Sequence, residues 1–323
     1  MRPPFEIGEE SLRCIGRVER LLGRYEGLQS PRPLPKLRRS NRVRTIRDSL
    51  AIEGNNLTLE QATTVLEGKH VAAPARDILE LQNASAVYEA LPDLIPHRSK
   101  DILKAHRILM KGLIPSAGRW RAGGVGIAKG SQIAHVAPPA DRVNGLMKDL
   151  LRFARDDSTP MLVRSAVVHY EIEFIHPFDD GNGRLGRLWH TLMLYHYHPA
   201  FEFVPIESLI REKQGDYYSV LGACDRAGNS TAFVEFGAAI VEEALRRFLE
   251  NLKAEPSTPS RRIEIAAARF GAREFSRKNY AAVFPTLSTA TASRDLRHGV
   301  EVGRLIKKGE KALTRYRFQW PQD

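Results

Sequence analysis

The 323-residue chain is poor in cysteine: Cys14 and Cys224 are the only two, and they stand far apart. Neither a disulfide framework nor a cysteine metal site is suggested. No stretch approaches the roughly 18 consecutive apolar residues that cross a bilayer. The opening Met1-Arg-Pro-Pro-Phe-Glu lacks the apolar segment of a secretion signal. These absences predict a cytoplasmic protein with no membrane contact. Internal repeats and low-complexity tracts are also missing. Acidic residues are in the minority, 38 Asp and Glu against 49 Lys and Arg, for a formal charge of +11. With 42% apolar and 27% charged residues the balance is that of an ordinary globular protein.

The positive excess is unevenly placed. Pro256–Asp323 holds fourteen Lys and Arg against six Asp and Glu, and Arg32–Arg47 carries seven more basic residues. Such clusters attract anionic partners, nucleic acid included, and a solvated face explains them equally well.

Three breaks organise the chain. Ser30-Pro-Arg-Pro-Leu-Pro reads as a stiff connector between helical segments. Gly123–Pro139 mixes glycine with short apolar alternation and closes on Pro138-Pro139, which reads as a hairpin. Glu255-Pro-Ser-Thr-Pro-Ser has linker composition and marks a domain boundary. Elsewhere helical periodicity dominates. Apolar stripes run through Leu81, Ala84, Val87, Tyr88 and Leu91, then Leu103, Ile108, Leu109 and Leu113, then Val143, Leu146, Met147, Leu150 and Leu151. Another, from Leu162 to Phe174, leads into the most informative segment. All are read as core, in a mainly α protein with one hairpin.

That segment is His176-Pro-Phe-Asp-Asp-Gly-Asn-Gly-Arg-Leu-Gly-Arg187. His176 precedes a proline and so stands where the preceding helix must end, placed to act as a general base. Asp179 and Asp180 supply the oxygen ligands that Mg²⁺ prefers beside phosphates. Gly181-Asn182-Gly183 lets backbone N–H groups approach an anion at the start of the next helix. Arg184 and Arg187, three apart, are neighbours on that helix and suited to further phosphate oxygens. A base, a metal ligand, an anion cradle and two arginines suit phosphoryl or nucleotidyl transfer. The same stretch matches a dinucleotide fingerprint, Gly181-x-Gly-x-x-Gly186, with Phe201–Ile206 as a following strand and Glu207 as its acid. That match needs a strand directly before it, and a helical stripe stands there instead. His169, His190, His196 and His198 lack a paired spacing with a third ligand, so no zinc site is expected.

The segment resembles the defining motif of the Fic family, HPFx(D/E)GNGRxxR, at every fixed position, and the likeness extends over roughly Pro4–Leu252. The resemblance implies a Fic-type helical bundle that moves AMP from ATP, with Mg²⁺, onto a Ser, Thr or Tyr hydroxyl of a protein target. His176 would deprotonate that hydroxyl and Asp180 would hold the metal. Gly181, Asn182, Gly183, Arg184, Leu185, Gly186 and Arg187 would surround the phosphates. Tyr217, Tyr218 and Asp225 take the place of the adenine-side contacts, although many relatives carry Asn where Asp225 stands. Gly118-Arg-Trp-Arg and the following hairpin look like the target-docking flap, with Ile127, Ala128, Lys129 and Gly130 on it.

Upstream, Val43, Ile46 and Leu50 predict a helix ending at Glu53 with Gly54 as a left-handed cap, and Ser49 and Glu53 on one face. A carboxylate at that end is disfavoured by the helix dipole, and a buried one needs a cationic partner. Ser49, Glu53 and Gly54 look like the family's inhibitory signature, (S/T)xxxE(G/N), which implies that Glu53 pairs with Arg187 at the γ-phosphate site.

Near the C-terminus, Phe275–Tyr280 through Thr289–Arg297 reads as helix, turn, helix, and Gly299–Phe318 alternates around Gly309 like a two-stranded wing. A small winged helix-turn-helix domain is expected, with DNA or protein contact through residues 258–323 both open. The expected organisation is an N-terminal helical region, 1–95, with the inhibitory helix at about 43–54, a catalytic core, 96–254, and the winged domain, 258–323. Alternatives are a nucleotide-sensing DNA-binding regulator, or the same site using another donor or removing AMP. The target protein, and whether the chain forms a homodimer, are not legible.

Overall fold

The computed structural model describes residues 2–27, 35–124, 126–129, 132–254, 258–284, 287–310 and 314–319, with the side chains of 35–37, 126–129, 132–136 and 253–254 outside that description. Most of the connector expected at Ser30–Pro35 lies outside the described residues. Its last proline, Pro35, opens a helix, where a missing N–H is harmless.

The chain divides into a larger unit reaching Leu249 and a smaller one from Glu250. The larger unit is built from α1 (Glu9–Glu26), α2 (Pro35–Ile52), α3 (Leu59–Leu66), α4 (Ala75–Glu89) and α5 (Ser99–Leu109). The hairpin β1 (Gly126–Lys129) and β2 (Gln132–Val136) follows. Then come α6 (Ala140–Ala154), α7 (Met161–Ile175), α8 (Asn182–Tyr197), α9 (Ile206–Glu212), α10 (Gln214–Ala227) and α11 (Thr231–Ala254). No helix among the described residues is long and apolar enough to cross a membrane.

The hairpin is antiparallel, Gly126 opposite Val136 and Lys129 opposite Gln132, with an irregularity between Ile127 and Ala128. Instead of a strand, Phe201–Ile206 covers the end of a 3₁₀ turn (Pro199–Glu202), a short connection and the first residue of α9, and Glu207 is a fully buried core carboxylate bound by the Tyr88 and Thr191 hydroxyls. The dinucleotide reading therefore has no strand to rest on.

Helix α7 is the centre. Its buried residues run from Leu162 to Tyr170 without a gap, so it has hardly any solvent face. It packs most extensively against α8. Gly186 makes this closeness possible: a Cβ there would come 2.8 Å from His169 Cδ2 and 3.4 Å from the His169 carbonyl. On α5 the buried stripe differs from the expected one. Ile102, Ala105, His106 and Leu109 face inward, while Leu103 and Ile108 are half-buried. Apolar counting overlooks Ala105 and His106, and the helix turns to bury them.

The smaller unit comprises α12 (Pro259–Phe270), α13 (Arg277–Val283), α14 (Thr289–Glu301) and the hairpin β3 (Leu305–Lys308) and β4 (Arg315–Phe318). Phe275 and Tyr316 exchange both backbone hydrogen bonds, 2.9 and 2.8 Å, adding a third short edge to the hairpin. Its own core joins Ile263, Phe275, Tyr280, Leu296, Leu305 and Phe318.

A methyl group at Gly186 must push α7 and α8 apart. Gly186→Ala is expected to lose about 1–3 kcal/mol to overpacking, more than the roughly 1 kcal/mol it gains in helix propensity. A thermal melt equal to or above that of the unmutated chain would show that the two helices are not so tightly seated.

Candidate active site

Helix α7 must stop at His176, because the next residue is a proline. It stops with His176 in the left-handed region, φ 50° and ψ 59°, the one non-glycine with positive φ among the described residues. Such a conformation is strained for a residue with a Cβ and persists only where its surroundings enforce it. Arg121 does much of the enforcing. Its guanidinium, 3% exposed, donates to the carbonyls of His176 (2.7 Å), Gly123 (2.7 Å), Ile175 (3.3 Å) and Pro138, and its backbone N–H donates to Pro177. One side chain therefore ties both ends of the hairpin segment to the loop that carries the histidine. The His176 Nδ1 lies 3.3 Å from the Glu173 carbonyl, which can only accept. That contact puts the ring proton on Nδ1 and the lone pair on Nε2.

The loop 177–181 is held by groups that carry no reaction chemistry. Phe178 is fully buried and stacks on His106, ring centroids 3.6 Å apart and nearly parallel. His106 accepts from the Gly118 N–H at Nδ1 (2.9 Å), so its Nε2–H donates to the Asp180 carbonyl (2.9 Å). Burial lowers the His106 pKa to about 4, so it stays neutral. Asn182, 1% exposed, spans the loop by accepting from Phe178 N (3.0 Å) and donating to Phe178 O (2.9 Å). Of the Gly181-Asn182-Gly183 cradle, the asparagine side chain thus shapes the loop. The glycines form the surface. Gly181 has φ +87°, and a Cβ on it would meet the Met110 side chain. Leu185 is fully buried, and Gly186 is turned to α7.

The two arginines part company. Arg184 pairs with Glu80 (3.3 Å) and Asp180 (3.3 Å). Glu80 in turn accepts from Asn55 (3.0 Å), immediately beyond the turn that follows α2. Arg187, 1% exposed, donates to the Ser49 hydroxyl (3.2 Å), the Ser49 carbonyl (3.0 Å) and Glu53 Oε1 (2.7 Å). Burial works against its charge, but Glu53, Tyr217 and Glu173 more than offset that and hold it protonated. Helix α2 ends at Ile52, Glu53 occupies the turn, and Gly54 reverses the chain at φ +90°. The Glu53 carboxylate lies against the start of α8 so closely that a Cβ on Gly183 would collide with it. A carboxylate therefore sits where the helix N-terminus and its bare glycine favour an anion.

Tyr217 is fully buried, donating to Glu173 (3.0 Å) and touching His169 (3.1 Å). Tyr218 is 39% exposed and donates to the Ile52 carbonyl (3.3 Å). Asp225 accepts from the Tyr170 hydroxyl (2.9 Å). Burial raises Glu173 to about 7. On the hairpin, Ile127, Ala128 and Lys129 lie on β1, and Gly130 falls outside the described residues. Asp180 Oδ1 accepts from Gly181 N (2.6 Å), while its side chain stays 44% exposed; Asp179 is exposed. Among the described residues no three His, Cys, Asp or Glu group as a metal site. His169 and His190 meet ring to ring (3.3 Å), and burial keeps both neutral. Sequence reasoning missed His106, Asn55 and Glu80, and it quoted Arg121 within Gly118-Arg-Trp-Arg without giving it this role. The arginine-rich approach to the hairpin was the one available signal.

Residues 96–194 match the model of the Fic/DOC family. A solved Fic family protein from Desulfovibrio desulfuricans G20 is 38% identical, with both chains covered in full and a TM-score of 0.77. The solved Fic-1 from Caenorhabditis elegans is 25% identical over 75% of this chain and 73% of its own, TM-score 0.63. The protein adenylyltransferase fic-1 of that organism is 28% identical over 254 residues, 75% of this chain and 48% of the relative. A protein adenylyltransferase Fic from Nematostella vectensis is 28% identical over 68% of this chain and 52% of the relative. The chain spans about half the length of the curated relatives it matches.

Because the folded state lowers the His106 pKa, that residue stabilises the protein fully above about pH 6.5, and the contribution is lost as pH falls through about 4. His106→Ala is expected to remove about 2–4 kcal/mol at neutral pH, through poorer packing and the absence of two hydrogen bonds. It should also flatten part of the stability loss between pH 6.5 and 4, leaving the share due to the other buried histidines, His169 and His190. Identical pH slopes in urea titrations of the two proteins would show that His106 is not held neutral.

Proposed function

The chain belongs to the Fic/DOC family, and on that footing we propose that it is a protein adenylyltransferase that restrains itself through Glu53. The observation that carries the reading is the pairing of a strained base, His176, with an anion seat at the start of α8 already filled by the chain's own carboxylate. With ATP bound, the target hydroxyl oxygen attacks the α-phosphorus, the bond to the bridging oxygen breaks, and pyrophosphate leaves. His176 Nε2 takes the hydroxyl proton. Gly181 and Gly183 let backbone N–H groups face the phosphates, and Arg187 meets the terminal one. The residues fit Mg²⁺, since Asp180 offers one half-exposed carboxylate and this ion takes most of its octahedron from phosphates and water. When bound, it neutralises charge developing on the phosphates.

Glu53 competes with the γ-phosphate for Arg187, so ATP that enters beside it sits with its α-phosphorus misaligned. The turn from Ile52 to Asn55 is the inhibitory element, within an N-terminal region of residues 1–95 that precedes the 96–254 core. Tyr218 and Asp225 stand on the adenine side, with Tyr217 packed behind them. The hairpin, through Ile127, Ala128 and Lys129, receives an extended target segment main chain to main chain, which tolerates varied sequences.

Label in the α-phosphate of ATP should enter protein strongly with Glu53→Gly, at least tenfold above the unmutated chain, and disappear when His176→Ala is added. Label in the γ-phosphate should not transfer. If Glu53→Gly transfers no more than the unmutated chain, the brake is wrong; if no variant transfers α-label, the adenylyltransferase reading gives way to another donor or to a nucleotide-sensing regulator.

A further inference from the structure

The smaller unit carries a feature that AMP transfer does not use. Its helices α13 and α14 form a helix-turn-helix followed by the β3–β4 hairpin. Helix α14 seats Ala292, Asp295, Leu296 and Gly299 on the core, and Gly299 is so close to Leu305 that a Cβ would come 2.7 Å from its Cδ1. The opposite face bears Ala290, Arg294 and Arg297, all exposed, with short Thr289 and Ala290 in the first turn. Of the two acids on this helix, Asp295 is withdrawn from the surface and Glu301 is its last residue. Asp295 is fully buried and bound bidentately by Arg262 at 2.5 and 2.7 Å, with the Tyr280 hydroxyl at 3.2 Å.

The hairpin continues the pattern. Leu305 pairs with Phe318 on the core side, so the alternate residues Lys308, Arg315 and Arg317 face outward, and all three are exposed. Arg277 and Lys278, also exposed, open α13, and Arg277 reaches Ser293 of α14 at 3.1 Å. Negative groups nearby are few. Glu274 pairs with Lys308 at 3.4 Å, Glu310 is exposed beside Gly309, and Glu301 lies at the far end of α14. A protein partner would want apolar surface. Among the described residues of this unit, Val302 is the only large apolar side chain that is exposed, and it lies beyond the C-terminal end of α14.

We propose that this face binds duplex DNA, with the first two turns of α14 in the major groove and the β3–β4 hairpin on the flanking phosphates. The groove of B-form DNA admits one α-helix, and small residues at the leading turn let the backbone come close to base edges. Arg294 and Arg297 reach base acceptors or the phosphates lining the groove. Lys308, Arg315 and Arg317 bind phosphate and supply affinity independent of sequence. Double-stranded RNA is disfavoured because its major groove is too narrow for a helix. The proposal stands independently of the transfer activity, and its test does not use ATP.

The test is fluorescence anisotropy of the full chain on a labelled, mixed-sequence DNA duplex across a potassium chloride series. Affinity should fall steeply with salt. Arg294→Glu with Arg297→Glu, and separately Lys308→Glu with Arg315→Glu, should each weaken binding at least tenfold. The second pair should also make the slope of log affinity against log salt shallower, by roughly 0.9 for each phosphate no longer neutralised. The matched reversal Lys100→Glu with Lys104→Glu, at exposed positions of the larger unit, should leave both quantities unchanged. All six positions are exposed, so unaltered melting curves are expected and guard against misfolding. Absence of binding at low salt, or an equal weakening in the matched reversal, overturns the proposal. So does a result in which the reversals spare DNA binding but change the sedimentation of the chain, which would mark a protein contact.

Discussion

A guanidinium that is 1% exposed must be met by negative charge, and much of the larger unit is arranged around that demand at Arg187. A buried ion is tolerated only with excellent geometry and satisfied hydrogen bonds. Helix α2 supplies the Ser49 hydroxyl and carbonyl, and the turn after it supplies Glu53. Even so, Arg187 Nη1 has no hydrogen-bond partner among the described residues. The group is thus provided with an anion but not saturated by it. A phosphate, with several acceptor oxygens, suits such a group better than one carboxylate oxygen does. Helix α2 is in turn fixed by α9, α4, α3 and α8, so the carboxylate is aimed by the core itself.

Around His176, rigidity comes from side chains packed and hydrogen-bonded into the loop, Arg121 and His106. Arg121 holds two carbonyls that flank the hairpin, of Gly123 and Pro138, and two at the end of α7, of Ile175 and His176, and His106 spans from Gly118 to Asp180 while Phe178 stacks on its ring. The strained backbone at His176 is stable because both neighbours are held in this way. The hairpin segment and the loop after α7 consequently share Arg121 as an anchor.

Sequence reasoning reached the helical architecture through apolar spacing, because a helix that buries one face must show it. It reached the hairpin through its glycines and paired prolines. The Glu53–Arg187 contact was anticipated through a family pattern, since nothing in local spacing joins residues 134 positions apart, whereas the bonds from Arg187 to Ser49 were not. Other links were invisible for physical reasons. His106 is polar, so the stripe through Leu103 and Ile108 rotated α5 the wrong way, and burial of a neutral imidazole leaves no mark in a string of letters. Arg121 looks like any surface arginine until the carbonyls around it are known. Arg184 and Arg187 seemed a matched pair at helical spacing. The structure separates them because Glu80, carried by α4, claims Arg184. Tyr217 and Tyr218 are adjacent in sequence and opposite in exposure, a difference that the turn of α10 decides.

Moving Glu53 off Arg187 by undocking α2 would expose Val43, Ile46, Leu50 and Ile52, each at most 5% accessible. At about 1.5–3 kcal/mol per side chain this would cost roughly 6–12 kcal/mol, comparable to the whole stability of a typical domain. Rotation of one carboxylate about its own bonds is far cheaper. Under the proposed reading the chain therefore carries a tethered competitor of its own substrate, present at an effective concentration set by geometry alone. Dilution does not weaken a competitor tethered in this way. On that reading the threshold at which nucleotide wins depends on the reach of one glutamate, whose carboxylate lies 2.7 Å from Arg187.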